Sequence, residues 1–391
     1  MEYNFSDRIK TVKPSAIREI LKATQKPGVI SFAAGNPSAD AFPVHEIDGI
    51  CQWVLSENPT VALQYSVSEG TNTLRNAIRN FVSQKEPEIV KCVDDILVVS
   101  GAQQGIELTA KTLLNEGDCV LTEDPTFVSA INTFKTYNAE VLGVPMQSDG
   151  VDLNIMEDYL KTHNNIKLFY TIPNFQNPTG YTTSLVKRKA IYELCNKYGV
   201  VILEDNPYGD LRFEGEYIPT IKSLDTNGIV VYVGSFSKII SPGIRVGYVI
   251  ANKDLFPKLV VAKQCSDVHT NVLGQIICER FLTTCNINLH IAKLQRIYKN
   301  KLLAMENAIA KFDTNHFLSY EKPQGGLFLW CKIPDEVDVA EFCKTCGEKG
   351  VAVVPGFAFQ TDDKAECHHI RLNYSTPTNE EILQGMERMF K

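Results

Sequence analysis

The sequence predicts an α/β protein with a mainly parallel central sheet covered by helices on both faces, followed by a smaller α+β domain. Three observations carry this. In the middle of the chain, short apolar runs of strand length alternate with segments of helical period, which is the pattern of strands joined by crossover helices. The residues just past those runs are repeatedly polar or glycine-rich, as at strand ends that face a ligand. From about residue 270 the alternation gives way to a long helical stretch and then to isolated strands.

The first clear strand is Ile96-Leu97-Val98-Val99. Ser100 to Gly105 follows, then a helix with Ile106, Ala110, Leu113 and Leu114 on one face. Asn115-Glu116-Gly117-Asp118 stops it before the strand Cys119 to Thr122. Ile166 to Thr171 is a strand ending in Pro173 to Gly180. The next helix places Val186, Ala190 and Leu194 on one side and stops at Gly199. Val200 to Glu204 delivers Asp205, and Ile229 to Val233 delivers Ser235, Ser237 and Lys238. Arg245 to Ile250 reads as one more strand. Beyond Phe312 come strands at Gly326 to Trp330, Val351 to Val354 and Ile370 to Tyr374, with a helix from Val339 to Glu348. Near the start, Ser15 to Leu21 is helix-like. No low-complexity tract or internal repeat interrupts the chain.

The 391 residues allow two or three domains, or one large domain with a satellite. Lysine and arginine total 39 against 46 aspartates and glutamates, a formal charge of −7. Such a balance offers no basic field for a phosphate backbone, so no nucleic-acid partner is expected. Hydrophobic residues at 44% and charged residues at 22% are ordinary for a globular protein. No run approaches the roughly 20 apolar residues of a membrane span. Met1 to Asp7 has neither a basic start nor an apolar centre, so no leader peptide is expected. Eleven scattered cysteines suit reduced thiols in the cytoplasm better than a disulfide framework. Cys343 and Cys346 have CxxC spacing without a second pair, and His368-His369 stands alone at a strand edge, so no metal site is expected.

The chemistry concentrates in a few places. Lys238 lies in the Ser/Gly-rich turn Gly234-Ser235-Phe236-Ser237-Lys238, with Arg245 seven residues on. Burial and a neighbouring cation lower a lysine's pKa and free its amine to bond a carbonyl carbon. The hydroxyls and Arg245 suit a dianionic phosphate, which a guanidinium grips through two oxygens. The alternative is a solvated loop lysine. Asp205 ends an apolar strand, where a carboxylate needs a cation or donor. A pyridinium nitrogen fits; at about 4 Å and an effective dielectric near 20 the attraction is about 4 kcal/mol. Otherwise Asp205 caps the next turn. Tyr208 could reach a phenolate oxygen of the same ring. Gly101-Ala102-Gln103-Gln104 opens a helix, where free amides attract an anion. Asn177 could be a turn residue or a donor to a ring oxygen and a carboxylate. Arg371, a charge within an apolar strand, is either a carboxylate clamp or half of an internal ion pair.

Together these segments resemble the class I/II aminotransferases of the fold-type I pyridoxal-phosphate superfamily. The resemblance runs from Ser31-Phe32-Ala33-Ala34-Gly35-Asn36-Pro37 to Ile370-Arg371-Leu372-Asn373. It is most specific from Gly234 to Lys238 and from Pro242 to Tyr248. Asn177-Pro178-Thr179-Gly180, Glu204-Asp205-Asn206-Pro207-Tyr208 and Pro323 to Phe328 support it. Tyr65 to Gly70 and Ser100 to Gly105 are in the style of the 2-aminoadipate/kynurenine aminotransferase branch.

The resemblance implies pyridoxal 5'-phosphate as cofactor and a catalytic set of Lys238, Asp205 and Tyr208. Lys238 would carry the cofactor and move the proton at the substrate Cα. Asp205 would pair with the ring nitrogen, Tyr208 and Asn177 with the ring oxygen. Ala102, Gln103, Ser235, Ser237 and Arg245 would surround the phosphate, and Phe127 would stack on the ring. Arg371, Asn177 and the Gly35 backbone would hold the substrate carboxylate. Tyr65 would reach the neighbouring subunit's phosphate, which implies a homodimer with shared sites. Arg8 and the Ser15 stretch would contribute to substrate selection. Ala102 and Phe127 stand where relatives often place a hydroxyl and a tyrosine.

The expected activity is transfer of an amino group between an L-amino acid (2-aminoadipate, aromatic or similar) and a 2-oxo acid such as 2-oxoglutarate. The alternatives are a pyridoxal-phosphate Cβ–S lyase and a non-catalytic cofactor-binding regulatory domain; the latter is not expected, since a DNA-binding head would need about 60 or more residues before the Ser31 to Pro37 motif. The expected division is an N-terminal segment over 1–45, a large cofactor-binding domain over 46–285 and a small domain over 286–391.

Overall fold

The computed structural model describes residues 3–10, 12, 27–362 and 365–391. The helix expected at Ser15 to Leu21 lies outside them. The described strands are β1 (Ile30–Ser31), β2 (Asp94–Val99), β3 (Cys119–Asp124), β4 (Glu140–Gln147), β5 (Gly150–Val151), β6 (Ile166–Thr171), β7 (Val201–Asp205), β8 (Val230–Ser235), β9 (Gly247–Asn252), β10 (Phe328–Lys332), β11 (Val351–Ala352), β12 (Val354–Pro355) and β13 (His369–Asn373).

The central sheet has the order β2-β9-β8-β7-β6-β3-β4-β5. Its core, β8-β7-β6-β3-β4, is parallel. β9 runs against both neighbours, and β5 turns back on β4, so the sheet is mixed at its margins. The reason is chain length: only residues 236–246 separate β8 from β9, too few for a helical crossover. β8 is buried along its whole length, as a strand covered on both faces should be.

Helix Ala102–Leu113 follows β2 and buries Ile106, Leu108 and Ala110. Helix Leu185–Tyr198 starts on Ser184, whose side chain accepts from the Lys187 amide, and ends on Gly199 at φ +68°. Its buried face is one residue away from the expected one. Val186 is 76% exposed, while Lys187, Arg188, Ile191, Tyr192 and Cys195 are buried. Arg188 explains the rotation. Its guanidinium donates to the carbonyls of Thr183, Pro173, Ile218 and Pro219 and to Asn174 Oδ1, at 2.6 to 3.2 Å. With its donors matched, a cation can occupy a core position that apolar counting denies it.

A second sheet, β10-β13-β12, is antiparallel. The single strand expected over Val351 to Val354 is two: β11 pairs in parallel with β1, and β12 pairs with β13. The N-terminal strand is thereby tied to the C-terminal part of the chain. Helices Val272–Thr284 and Ile287–Phe312 fill the long helical stretch. No helix among the described residues is long and apolar enough to cross a membrane.

Candidate active site

A cavity of about 900 Å³ opens beyond the C-terminal ends of β3, β6, β7 and β8. β7 ends on Asp205, and the turn after it supplies Tyr208. β8 ends on Ser235, and the following loop supplies Ser237, Lys238 and Arg245. The turn from β2 into its helix brings Ala102 and Gln103. Phe127 follows β3, Asn177 follows β6, Gly35 follows β1 and Arg371 lies on β13. All of these residues line the cavity.

Lys238 Nζ donates to the Gly35 carbonyl at 2.7 Å. Burial, then the charges of Arg371 and Arg245, bring its pKa down to about 8, against the pull of Asp205. Asp205 is buried, which pushes its carboxyl up to about 7. Tyr170 donates its hydroxyl to Asp205 Oδ2 at 2.9 Å. Among the described residues, Asp205 Oδ1 is buried with no hydrogen-bond partner.

Arg371 donates from Nη1 to Asn177 Oδ1 at 2.7 Å and from Nη2 to the Ala33 carbonyl at 2.6 Å. Its guanidinium lies over the rings of Phe328 and Phe359, 4.4 and 4.7 Å from their centroids. Burial lowers its pKa to about 10. Among the described residues, no carboxylate is hydrogen-bonded to it.

The phosphate end is a cradle of backbone and cation. Gly101 has φ +88°, and a Cβ there would stand 2.4 Å from Arg245 Nη2. Only glycine permits both the turn and the close guanidinium. Arg245, itself left-handed at φ +56°, donates to the carbonyls of Ser100 and Pro242 at 3.0 and 3.2 Å. The amides of Ala102 and Gln103 open the helix, where no intrahelical carbonyl can take them. The Gln103 side chain donates to Thr133 at 2.8 Å, so its amide is what faces an anion. The Ser237 amide donates to Ser235 Oγ at 3.1 Å.

A buried network holds the residues beside Asn177. Buried Glu123 accepts from the Thr171 hydroxyl, the Ile172 amide and the Gln176 amide group. Gln176 Oε1 in turn accepts from the Thr179 amide and hydroxyl. Burial pushes Glu123 up to about 7.

Two expected residues stand apart. Tyr65 is 85% exposed and meets His269 edge-on. Arg8 lies on the exposed helix Asp7–Lys10, where its charge reaches Tyr137. Neither lines the cavity. Conversely, Asn36, Ser129, Asn132 and Phe328 line it without having been singled out as site residues. Tyr170 and Glu123 were missed too; a polar tip inside a buried strand was the one available signal.

The class I and II aminotransferase family model matches residues 27–389. The chain belongs to this family. An aromatic-amino-acid aminotransferase of Thermococcus litoralis is 36% identical, over 99% of this chain and 93% of the relative. A 2-aminoadipate transaminase of Thermus thermophilus is 35% identical, over 97% and 93%. The crystal structure of a Pyrococcus horikoshii kynurenine aminotransferase in complex with PMP superposes with a TM-score of 0.94, at 33% identity and over 99% and 96% of the two chains. The fold is therefore fold-type I, and neither the Cβ–S lyase nor the regulatory-domain alternative gains support.

Aminotransferases of this family use pyridoxal phosphate, and the residues present fit it. The orphaned Asp205 Oδ1 is a buried acceptor in want of a donor such as a protonated ring nitrogen. The Gly101 cradle with Arg245 offers amides and a cation to a phosphate.

Proposed function

We propose that this aminotransferase takes its amino group from L-amino acids with acidic or aromatic side chains, such as 2-aminoadipate, and passes it to a 2-oxo acid such as 2-oxoglutarate. The relatives' names, aromatic, 2-aminoadipate and kynurenine, support that donor range. One observation carries the reading: a buried arginine, Arg371, and a lysine of depressed pKa, Lys238, share one cavity with an unpaired carboxylate oxygen.

Bound pyridoxal phosphate supplies an electron sink for the charge that develops at the substrate Cα. Asp205 would keep the ring nitrogen protonated, and Tyr208 and Asn177 would donate to the ring oxygen. Ala102, Gln103, Ser235, Ser237 and Arg245 would hold the phosphate, and Phe127 would stack on the ring. Arg371, with Asn177 and the Gly35 backbone, grips the α-carboxylate and so sets which Cα bond is presented. Lys238 would hold the cofactor and, once freed, would move the proton at Cα. Arg8 contributes to side-chain choice.

A homodimer fits the exposed Tyr65, which then reaches the phosphate of the partner subunit's site. The division into 1–45, 46–285 and 286–391 and a cytoplasmic location belong to the same proposal; free cysteines support the latter.

The test mixes protein, pyridoxal phosphate and single amino acids, follows the visible band of the bound cofactor, and measures glutamate formed from 2-oxoglutarate. Acidic and aromatic donors should give glutamate. No band conversion with any common amino acid overturns the reading.

A further inference from the structure

We propose that Tyr170 is a positioning residue for Asp205: its hydroxyl occupies one carboxylate oxygen, so that the other stays unpartnered at the cavity wall for the cofactor's ring nitrogen. This rests on Asp205 being the partner of that nitrogen.

The strand register places the pair. Tyr170 of β6 lies opposite Leu203 of β7, and Asp205 is two residues further on. Successive side chains alternate between faces, so Tyr170 and Asp205 share one face of the sheet. Tyr170 is fully buried, with its ring edge-on to Phe134 at 5.8 Å, which holds the hydroxyl in place. A phenol beside a carboxylate has one useful role, as donor, and the 2.9 Å contact to Oδ2 is that bond. With Oδ2 fixed, the carboxylate cannot rotate freely, and Oδ1 is left buried without a partner. Such an orphan is costly and persists where a missing donor completes it.

The hydroxyl also favours the ionised carboxylate that a cationic ring requires. Burial and the charge of Glu123 oppose ionisation of Asp205, whereas Tyr170 and the Lys238 ammonium assist it. Among these, Tyr170 is a neutral group whose removal leaves the net charge of the site unaltered.

The test compares wild type with Tyr170→Phe as full-length protein. The Kd for pyridoxal phosphate and the visible band of the bound cofactor are measured, with the thermal midpoint of the apo-protein as control. Phenylalanine keeps the ring and removes the donor. The expected result is a Kd raised about tenfold or more and a shifted band, and no such effect when Asp205→Asn is already present. An unchanged Kd and band, or an equal loss in the Asp205→Asn background, overturns the proposal. Should Tyr170→Phe not fold, 3-fluorotyrosine at 170 gives a stronger donor of nearly the same shape. It should tighten binding, and no change overturns the proposal. Failure of the wild type itself to bind pyridoxal phosphate removes instead the reading of Asp205 on which this rests.

Discussion

Lys238 sits where its ammonium form is disfavoured by burial and by two guanidinium groups, and its pKa falls to about 8. An amine attacks an aldehyde only when neutral. At pH 7 about a tenth of the molecules then carry the reactive form, against far fewer for an ordinary lysine. Because the group loses its proton as pH rises, uptake of pyridoxal phosphate by the apo-protein should speed up through about pH 8 and then level off. Stopped-flow absorbance checks this; a flat profile contradicts it. Arg371 is a fork held between Phe328 and Phe359, so a point charge cannot replace it. Arg371→Lys should lower kcat/KM for the amino donor by about 10- to 100-fold, the loss of one charged hydrogen bond, with cofactor affinity little altered. Gly101→Ala puts a methyl against Arg245 Nη2. It should weaken cofactor retention by about tenfold or more, read as faster loss on dialysis.

At the scale of elements, the helix Leu185–Tyr198 carries the clearest stability prediction. Arg188→Leu removes the group that satisfies carbonyls at Thr183, Pro173, Ile218 and Pro219. The Pro173 carbonyl keeps the Thr183 amide as a donor, but the others lose the guanidinium, which should destabilise the protein by about 1–3 kcal/mol or more, seen as a lower denaturant midpoint. This helix also marks where the sequence was legible and where it was not. Its end at Gly199 follows from local chemistry. Its buried face does not, because most partners of Arg188 lie 14 to 31 residues away, in the loops around Pro173 and Pro219. Strands β6 and β7 were readable from apolar runs, yet their shared network was not. Tyr170 meets Asp205 and Glu123 meets Gln176 only once the strands are in register. Val351 to Val354 looks like one strand because its composition is uniform; its two halves serve different partners. Asp205, Ser235, Ser237 and Lys238 stood out because each is polar at or just past a strand end. Phe328 and Asn132 carry no such mark.

For the whole molecule, the proposed dimer makes a prediction of its own. On that reading, each site takes Lys238 from one subunit and Tyr65 from the partner subunit. Lys238→Ala and Tyr65→Ala proteins, each impaired alone, should regain activity when co-expressed. The hybrid then holds one site with both residues intact, and at random pairing about half the dimers are hybrids. Activity of the mixture no greater than the mean of the parents contradicts a shared site. The same scale explains why the substrate is the least legible property. Arg371, Gly35 and Ser129 come from distant parts of the chain, so the shape of their common wall has no local signature.

The stretch from 236 to 246 joins two antiparallel strands without an α-helix between them. It carries the amine at one end and the guanidinium at the other. The span between those groups is thus written into the length of one peptide, like the distance between two marks on a ruler. Inserting or deleting a single residue there displaces one mark relative to the other, whatever the residue. Insertion scanning across the chain should find this short stretch intolerant even to glycine, while rim turns such as Gly117 absorb the same change.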